Sequence, residues 1–158
     1  MPIEIRRATP NDLAGIITLL HEFAEFEKLT DRLQITEEKL SAAVLGPDAF
    51  AYCLVATDGS KLVSYAILYP IFASFRGQKG MFVEDLFITE EYRRDGLGER
   101  MLREIAKLAR ECACNRVDLM VLEWNTPAVK FYEKHGGVRD ELERHFKFTD
   151  EAFEELCA

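Results

Sequence analysis

Residues Met81 to Gly98, MFVEDLFITEEYRRDGLG, decide how this chain is read. The segment opens as a strand over Met81 to Ile88, with Glu84-Asp85 set among apolar neighbours, and closes on Arg93-Arg94-Asp95-Gly96-Leu97-Gly98. A strand that runs into a glycine-bearing turn with a helical pattern straight after it leaves N–H groups unpaired at a helix start. Glycines there let the main chain approach a bulky ligand, and the helix start favours an anion, a pyrophosphate being the natural guest. Two other phosphate-binding patterns fail on the residues that follow. Gly98 is succeeded by Glu99 and Arg100 where a Walker loop has Lys and then Ser or Thr, and Met101 stands where a dinucleotide fingerprint needs its third glycine.

Working outward, Ile3 to Arg7 alternates apolar and charged residues as a short strand does. Thr9-Pro10-Asn11-Asp12 reads as a helix start, and Leu13, Ile16, Ile17, Leu20 and Phe23 follow at helical spacing to about Phe26. A second helix is expected from Thr36, with Leu40 and Leu45 inward. Tyr52 to Ala56 and Leu62 to Phe72 form a hairpin about Asp58-Gly59, and a loop from Ser74 to Gly80 leads into the strand at Met81. After the glycine turn a helix runs to about Cys112, with Met101, Leu102, Ile105 and Leu108 on one face. Arg116 to Leu122 reads as a fifth strand, and Pro127 to His135 as a short helix capped by Asn125 or Thr126 and closed by Gly136-Gly137. Arg144 to Phe148 reads as a last strand before a helical tail. The order β-α-α-β-β-β-α-β-α-β predicts a mixed α/β (α+β) fold, a mainly antiparallel central sheet flanked by helices, in one domain over residues 1–158.

Twenty Lys and Arg against twenty-eight Asp and Glu give a formal charge of −8, which argues against a nucleic-acid partner and permits attraction of small cations. The four cysteines include one close pair, Cys112 and Cys114, with no second pair to complete a tetrahedral zinc site, so free thiols and no metal are expected. The first residues lack the apolar core of a signal peptide, and the apolar stretch from Tyr65 to Ala73 is too short to cross a bilayer. A cytoplasmic protein without membrane association is expected.

The pattern Arg-x-x-Gly-x-Gly at Arg93 to Gly98 resembles the acetyl-CoA signature of the GNAT superfamily of N-acetyltransferases. Glu84-Asp85-Leu86-Phe87-Ile88, the glycine turn, Glu123-Trp124-Asn125 and Phe131-Tyr132-Glu133-Lys134-His135-Gly136 follow one another in that family's order and spacing. More narrowly the chain resembles the diamine (spermidine/spermine) acetyltransferase branch, with counterparts for Phe26-Glu27, Thr36-Glu37 and Cys112-Ala113-Cys114. Phe26 and Glu143 depart from it, standing where that branch has a tyrosine and a tryptophan.

The resemblance implies that the backbone of Leu86, Phe87 and Ile88 pairs with the pantetheine arm of acetyl-CoA like an added strand. It assigns the main-chain N–H groups of Arg94, Asp95, Gly96, Leu97, Gly98 and Glu99 to the pyrophosphate, and counts Arg93 and Asn125 among the cofactor-binding residues. Tyr132 matches the proton donor to the departing thiolate, Glu84 the carboxylate that helps deprotonate the amine, and Phe26, Glu27, Glu84 and Asp118 line the amine site. A small-molecule amine, a diamine or lysine-like compound, and a homodimer are implied. A protein or peptide acceptor and a non-catalytic acyl-CoA-binding module are the alternatives. Read as residues alone, Tyr132 is a core or rim aromatic beside Val129 and Phe131, and strand alternation lets only one of Glu84 and Asp85 face a given side, with Glu84 placed inward by its motif position. An alkylammonium with a pKa of ~10.4 is free amine in roughly one molecule in 2,500 at pH 7, which adds about 4.6 kcal/mol to the barrier unless a base is supplied.

Overall fold

The computed structural model describes residues 2–158, and Met1 lies outside the described residues. The chain forms two compact units, the first ending at Met120 and the second running from Val121 to Ala158. The first contains the sheet. Strands β1 (Glu4–Arg7), β2 (Tyr52–Asp58), β3 (Lys61–Ala73), β4 (Gln78–Ile88) and β5 (Arg116–Leu119) lie side by side in chain order. Helices α1 (Leu13–Glu27) and α2 (Glu37–Val44) precede β2, and α3 (Leu97–Glu111) joins β4 to β5. Because a helix carries the chain back to its starting end, β4 and β5 pair in parallel, while the other neighbours are antiparallel.

Each face of the sheet is covered by the helix whose apolar stripe fits it. Leu97, Met101, Ile105 and Leu108 recur one turn apart on α3 and are buried with Leu54, Ala56, Ala66, Leu68, Met81 and Val83. On the opposite face Ile16 and Leu19 of α1 and Leu40 of α2 are buried with Cys53, Val55, Tyr65 and Phe87. The entrance to α1 is fixed by Asp12, which accepts from the Arg6 guanidinium at 2.7 and 3.0 Å and from the Thr9 N–H at 2.7 Å.

The irregularity that matters lies in β4. Leu68 pairs with Val83 and Ile67 with Asp85, so Glu84 is an extra residue without a partner position on β3. The parallel ladder to β5 stops at the same point, its last pair being Val83 with Leu119. Residues from Asp85 to Ile88 therefore pair with β3 alone among the described residues. The expected fifth strand over Arg116 to Leu122 is accordingly shorter, because a bulged strand bends and carries its edge away from its neighbour. Other ends shift as well. A short turn at Ser74–Arg76, closed by Gly77 at φ 61, lets β4 begin at Gln78, so the expected loop is mostly hairpin.

The second unit contains α4 (Thr126–Lys134) and α5 (Asp150–Cys157). Asn125 is the N-cap of α4, its Oδ1 accepting from the Ala128 N–H at 3.3 Å, which decides between the two caps expected. The strand expected at Arg144 to Phe148 is not formed. Alternation of side chains invites a strand there, yet a strand exists only through ladder bonds to a neighbour, and all five residues are exposed without one.

Asp12 supplies a test of how α1 is held. Its carboxyl is pulled down to about 2, chiefly by the hydrogen bond from Arg6. A depressed acid stabilises the fold above its unfolded pKa of roughly 4 and loses that contribution as pH falls through the folded value. Asp12→Ala should cost about 2 kcal/mol in urea denaturation at pH 7, and the gap to wild type should shrink as pH is lowered from 5 towards 2.

Candidate active site

Three carboxylates gather about the bulge and the end of α1. Asp85, the residue after the bulge, accepts a 3.1 Å hydrogen bond from the hydroxyl of Tyr65, a fully buried side chain. Glu84 is exposed and accepts from the Tyr69 hydroxyl at 3.2 Å. Glu27, the last residue of α1, is half-buried and near enough to feel the charge of Asp85. Burial raises Asp85 to about 6, with a smaller contribution from Glu84. Burial and then Asp85 raise Glu27 to about 7. Neither acid has a cation among the causes of its shift, and desolvated like charges with no counter-ion are an arrangement that a bound cation would relieve.

Sequence reasoning missed Asp85, Tyr65 and Tyr69. Alternation presents Glu84 and Asp85 as rivals for one face, but the extra residue resets the alternation, so Asp85, not Glu84, falls on the face of Tyr65 and Phe87. The inward placement expected for Glu84 is thus corrected to an exposed one at the bulge. The only signal available in advance was two adjacent acids inside an apolar strand. Asp118, expected to be a further acid for the amine, is held at 2.7 and 2.8 Å by both arms of Arg116, which matches its charge.

The other end of β4 leads into the glycine turn. Leu86, Phe87 and Ile88 lie on the segment that pairs with β3 alone. Thr89 bonds back to Val63 through its N–H, while its buried hydroxyl has no hydrogen-bond partner. The Tyr92 hydroxyl donates to Asp58 at 2.7 Å and pins the short turn at Glu90–Tyr92. Arg94 and Gly96 then adopt left-handed conformations, φ 75 and 78. At Gly96 this suits glycine, and at Arg94 it marks a tight turn under constraint. Gly96 is the N-cap of α3, so the N–H groups of Leu97 and Gly98 have no carbonyl one turn earlier in the helix to bond. Asp95 and the Arg94 side chain are exposed, and Glu99 pairs with Arg103. Left-handed turn residues followed by a helix start leave main-chain N–H groups without helix partners, an arrangement that suits a diphosphate.

Arg93 behaves otherwise. Its Nε donates to the Ile88 carbonyl at 2.8 Å, and its guanidinium lies 4.7 Å from the centre of the Phe26 ring and 5.4 Å from that of Phe87. Arg93, expected among the cofactor-binding residues, has its side chain engaged within the protein. In the second unit, burial pushes the Tyr132 phenol up to about 12, and Phe131 packs edge-on against both Tyr132 and His135. Asn125, expected to contact the cofactor, uses its side-chain oxygen as the helix cap.

A mixed sheet with a bulged strand that leads into a glycine turn and helix start is the framework of an acyl-group-transferring enzyme. The chain belongs to the acetyltransferase (GNAT) family, whose model matches residues 13–137, and it is an N-acetyltransferase. Members of that family use acetyl-CoA as co-substrate. The thialysine N-epsilon-acetyltransferase of Sus scrofa is 36% identical over 165 residues, covering 97% of this chain and 96% of that protein. The L-ornithine N5-acetyltransferase of Arabidopsis thaliana is 27% identical, covering 84% and 78%. A solved integron cassette protein from the mobile metagenome of V. cholerae shares the fold with a TM-score of 0.81 at 20% identity, covering 99% of this chain and 98% of its own. No helix among the described residues is long and apolar enough to cross a membrane.

The raised acids make stability fall with pH. Between their unfolded values of 3.8 and 4.5 and their folded values of about 6 and 7, Asp85 and Glu27 keep protons that the unfolded chain has already released. Stability contributed by this difference is present at low pH and is lost as pH rises through those folded values. Asp85→Asn should raise stability at pH 8 relative to pH 5 by about 1.4 kcal/mol compared with wild type, measured by denaturation at both values. Glu27→Gln should do the same to a smaller extent, because water screens a partly exposed carboxylate.

Proposed function

We propose that this enzyme transfers the acetyl group of acetyl-CoA to a primary amine of a small cationic molecule, a diamine or a lysine- or ornithine-like amino acid, by direct attack of the amine on the thioester. The observation that carries the reading is the break of β4 at Glu84, which leaves Leu86 to Ile88 paired on one side only and runs into the turn that opens α3. Acetyl-CoA supplies an activated acyl group on a thiol leaving group. Main-chain N–H groups of Arg94 to Glu99 take the pyrophosphate, and the free edge of Leu86 to Ile88 receives the pantetheine arm as an added strand. The residues fit that guest, since Gly96 has open space where a side chain would stand and its conformation is one that side chains disfavour.

Asp85 and Glu27 hold the ammonium group, whose charge pulls their carboxyls back towards ionisation. Glu84, exposed and oriented by Tyr69, removes the proton that the amine sheds, directly or through one water. Tyr132 keeps its proton throughout the neutral range and donates it to the departing thiolate. The relatives that act on thialysine and ornithine support a small amine as acceptor. By resemblance to the diamine acetyltransferase branch the enzyme works as a homodimer, in the cytoplasm as its sequence leads one to expect, with residues 1–158 as one transferase domain.

Thiol release from acetyl-CoA across thialysine, ornithine, diamines, polyamines and basic peptides tests the reading. Turnover should be fastest on a small dication or amino acid, and Tyr132→Phe should lower kcat by about a hundredfold while calorimetry shows CoA binding retained. Peptide acetylation exceeding that of every small amine would favour the protein-acceptor alternative. CoA binding without turnover on any amine would leave a binding module, and unchanged kcat in Tyr132→Phe would remove the phenol from the chemistry.

A further inference from the structure

Arg93 is the residue whose position the acetyl-CoA reading does not absorb. It is the first residue of the glycine-turn motif, and the resemblance counts it among the cofactor-binding residues. Instead its guanidinium is shared among three groups from two distant parts of the chain. Nε donates to Ile88 at the end of β4, and the planar head stacks on Phe26 of α1 and on Phe87 of β4. Phe87 is itself held edge-on by Phe23, ring centres 5.2 Å apart, one turn before Phe26 on α1. The end of α1 is thus fastened to β4 twice, once ring to ring and once through a cation.

The two fastened residues stand beside the acids that define the amine site. Phe26 precedes Glu27, and Phe87 lies two positions along the same strand from Asp85. Movement of Phe26 off the guanidinium would carry Glu27 away from Asp85, since both α1 residues ride on one helix turn that ends at Lys28 in a left-handed conformation. The same arginine begins the turn whose next residues carry the anion-binding main chain. We infer that Arg93 is a positioning residue that couples the amine-binding end of α1 to the cofactor turn, and that its side chain is not a phosphate ligand. Lysine is a poor substitute there, because an ammonium lacks the flat face that stacks on two rings while an edge nitrogen bonds a carbonyl.

The inference rests on the acetyl-CoA reading, and the wild-type enzyme separates the two failures. If wild type shows no turnover with acetyl-CoA and any amine, the functional reading has failed. Where wild type is active, Arg93→Met and Phe26→Leu should each raise KM for the amine by about tenfold, with the affinity for CoA in calorimetry altered less than about twofold. The double variant should be no worse than the poorer single variant, because both break one contact. Phe26→Tyr, which keeps the ring, should retain the wild-type KM. A loss of CoA affinity with the amine KM unchanged, or effects of the two substitutions that simply multiply, would overturn the inference. Should Arg93→Met fail to fold, Arg93→Lys combined with the half-exposed Phe26→Leu gives the same cycle, in which non-additive KM effects support the coupling and multiplying ones overturn it.

Discussion

A strand cannot satisfy two neighbours whose directions diverge, and β4 meets that constraint at Glu84. One extra residue there lets the antiparallel pairing with β3 continue while the parallel pairing with β5 ends. Everything chemical in the first unit is arranged around that residue. Before it, Gly80 to Val83 are locked between two strands, and at Gly80 the approach to Arg116 is so close that a Cβ would stand 2.8 Å from its Cγ. After it, the strand is held on one side and its side chains have changed face. The bulge therefore makes a main-chain edge and an acidic side-chain group in one step.

The electrostatics follow from where those side chains fall. Asp85 is placed against buried Tyr65, and Glu27 arrives from the end of α1 within reach of its charge, so two poorly solvated carboxylates stand with no arginine or lysine among the causes of their shifts. Elsewhere several acids have a cationic partner. Asp12 has Arg6, Asp118 has Arg116, and Glu91 has Lys61. The contrast gives the cluster its meaning, since unbalanced charge concentrated in one partly buried place is a common mark of a binding site for the opposite charge. The overall excess of acid is a weaker statement about the same preference.

Stability and binding draw on the same contacts. The α1 helix is fixed at its beginning by Asp12 and at its end by Phe23 on Phe87 and Phe26 on Arg93. A helix anchored at both ends sets the position of its final residue, Glu27, by rigid geometry instead of by a contact of Glu27 itself. On the other face α3 is held by an uninterrupted apolar stripe, which keeps its first turn, with the N–H groups of Leu97 and Gly98, in a constant place at the end of the sheet.

The residues alone determined most of the list of elements, the apolar stripes of α1 and α3, the glycine turn and the family. These depend on neighbours a few positions apart, where helix and strand periods and turn preferences act directly. Periodicity overreached at Arg144 to Phe148, because alternation describes a face whereas a strand needs a partner to pair with. The tertiary structure alone decided which of Glu84 and Asp85 is buried, that Glu27 lies within reach of the charge of Asp85, that Arg116 claims Asp118, and that the Arg93 side chain turns away from the glycine turn it begins. Each of those depends on register or on a contact between distant segments. A one-residue shift in a ladder changes every side chain beyond it without leaving a trace in local sequence.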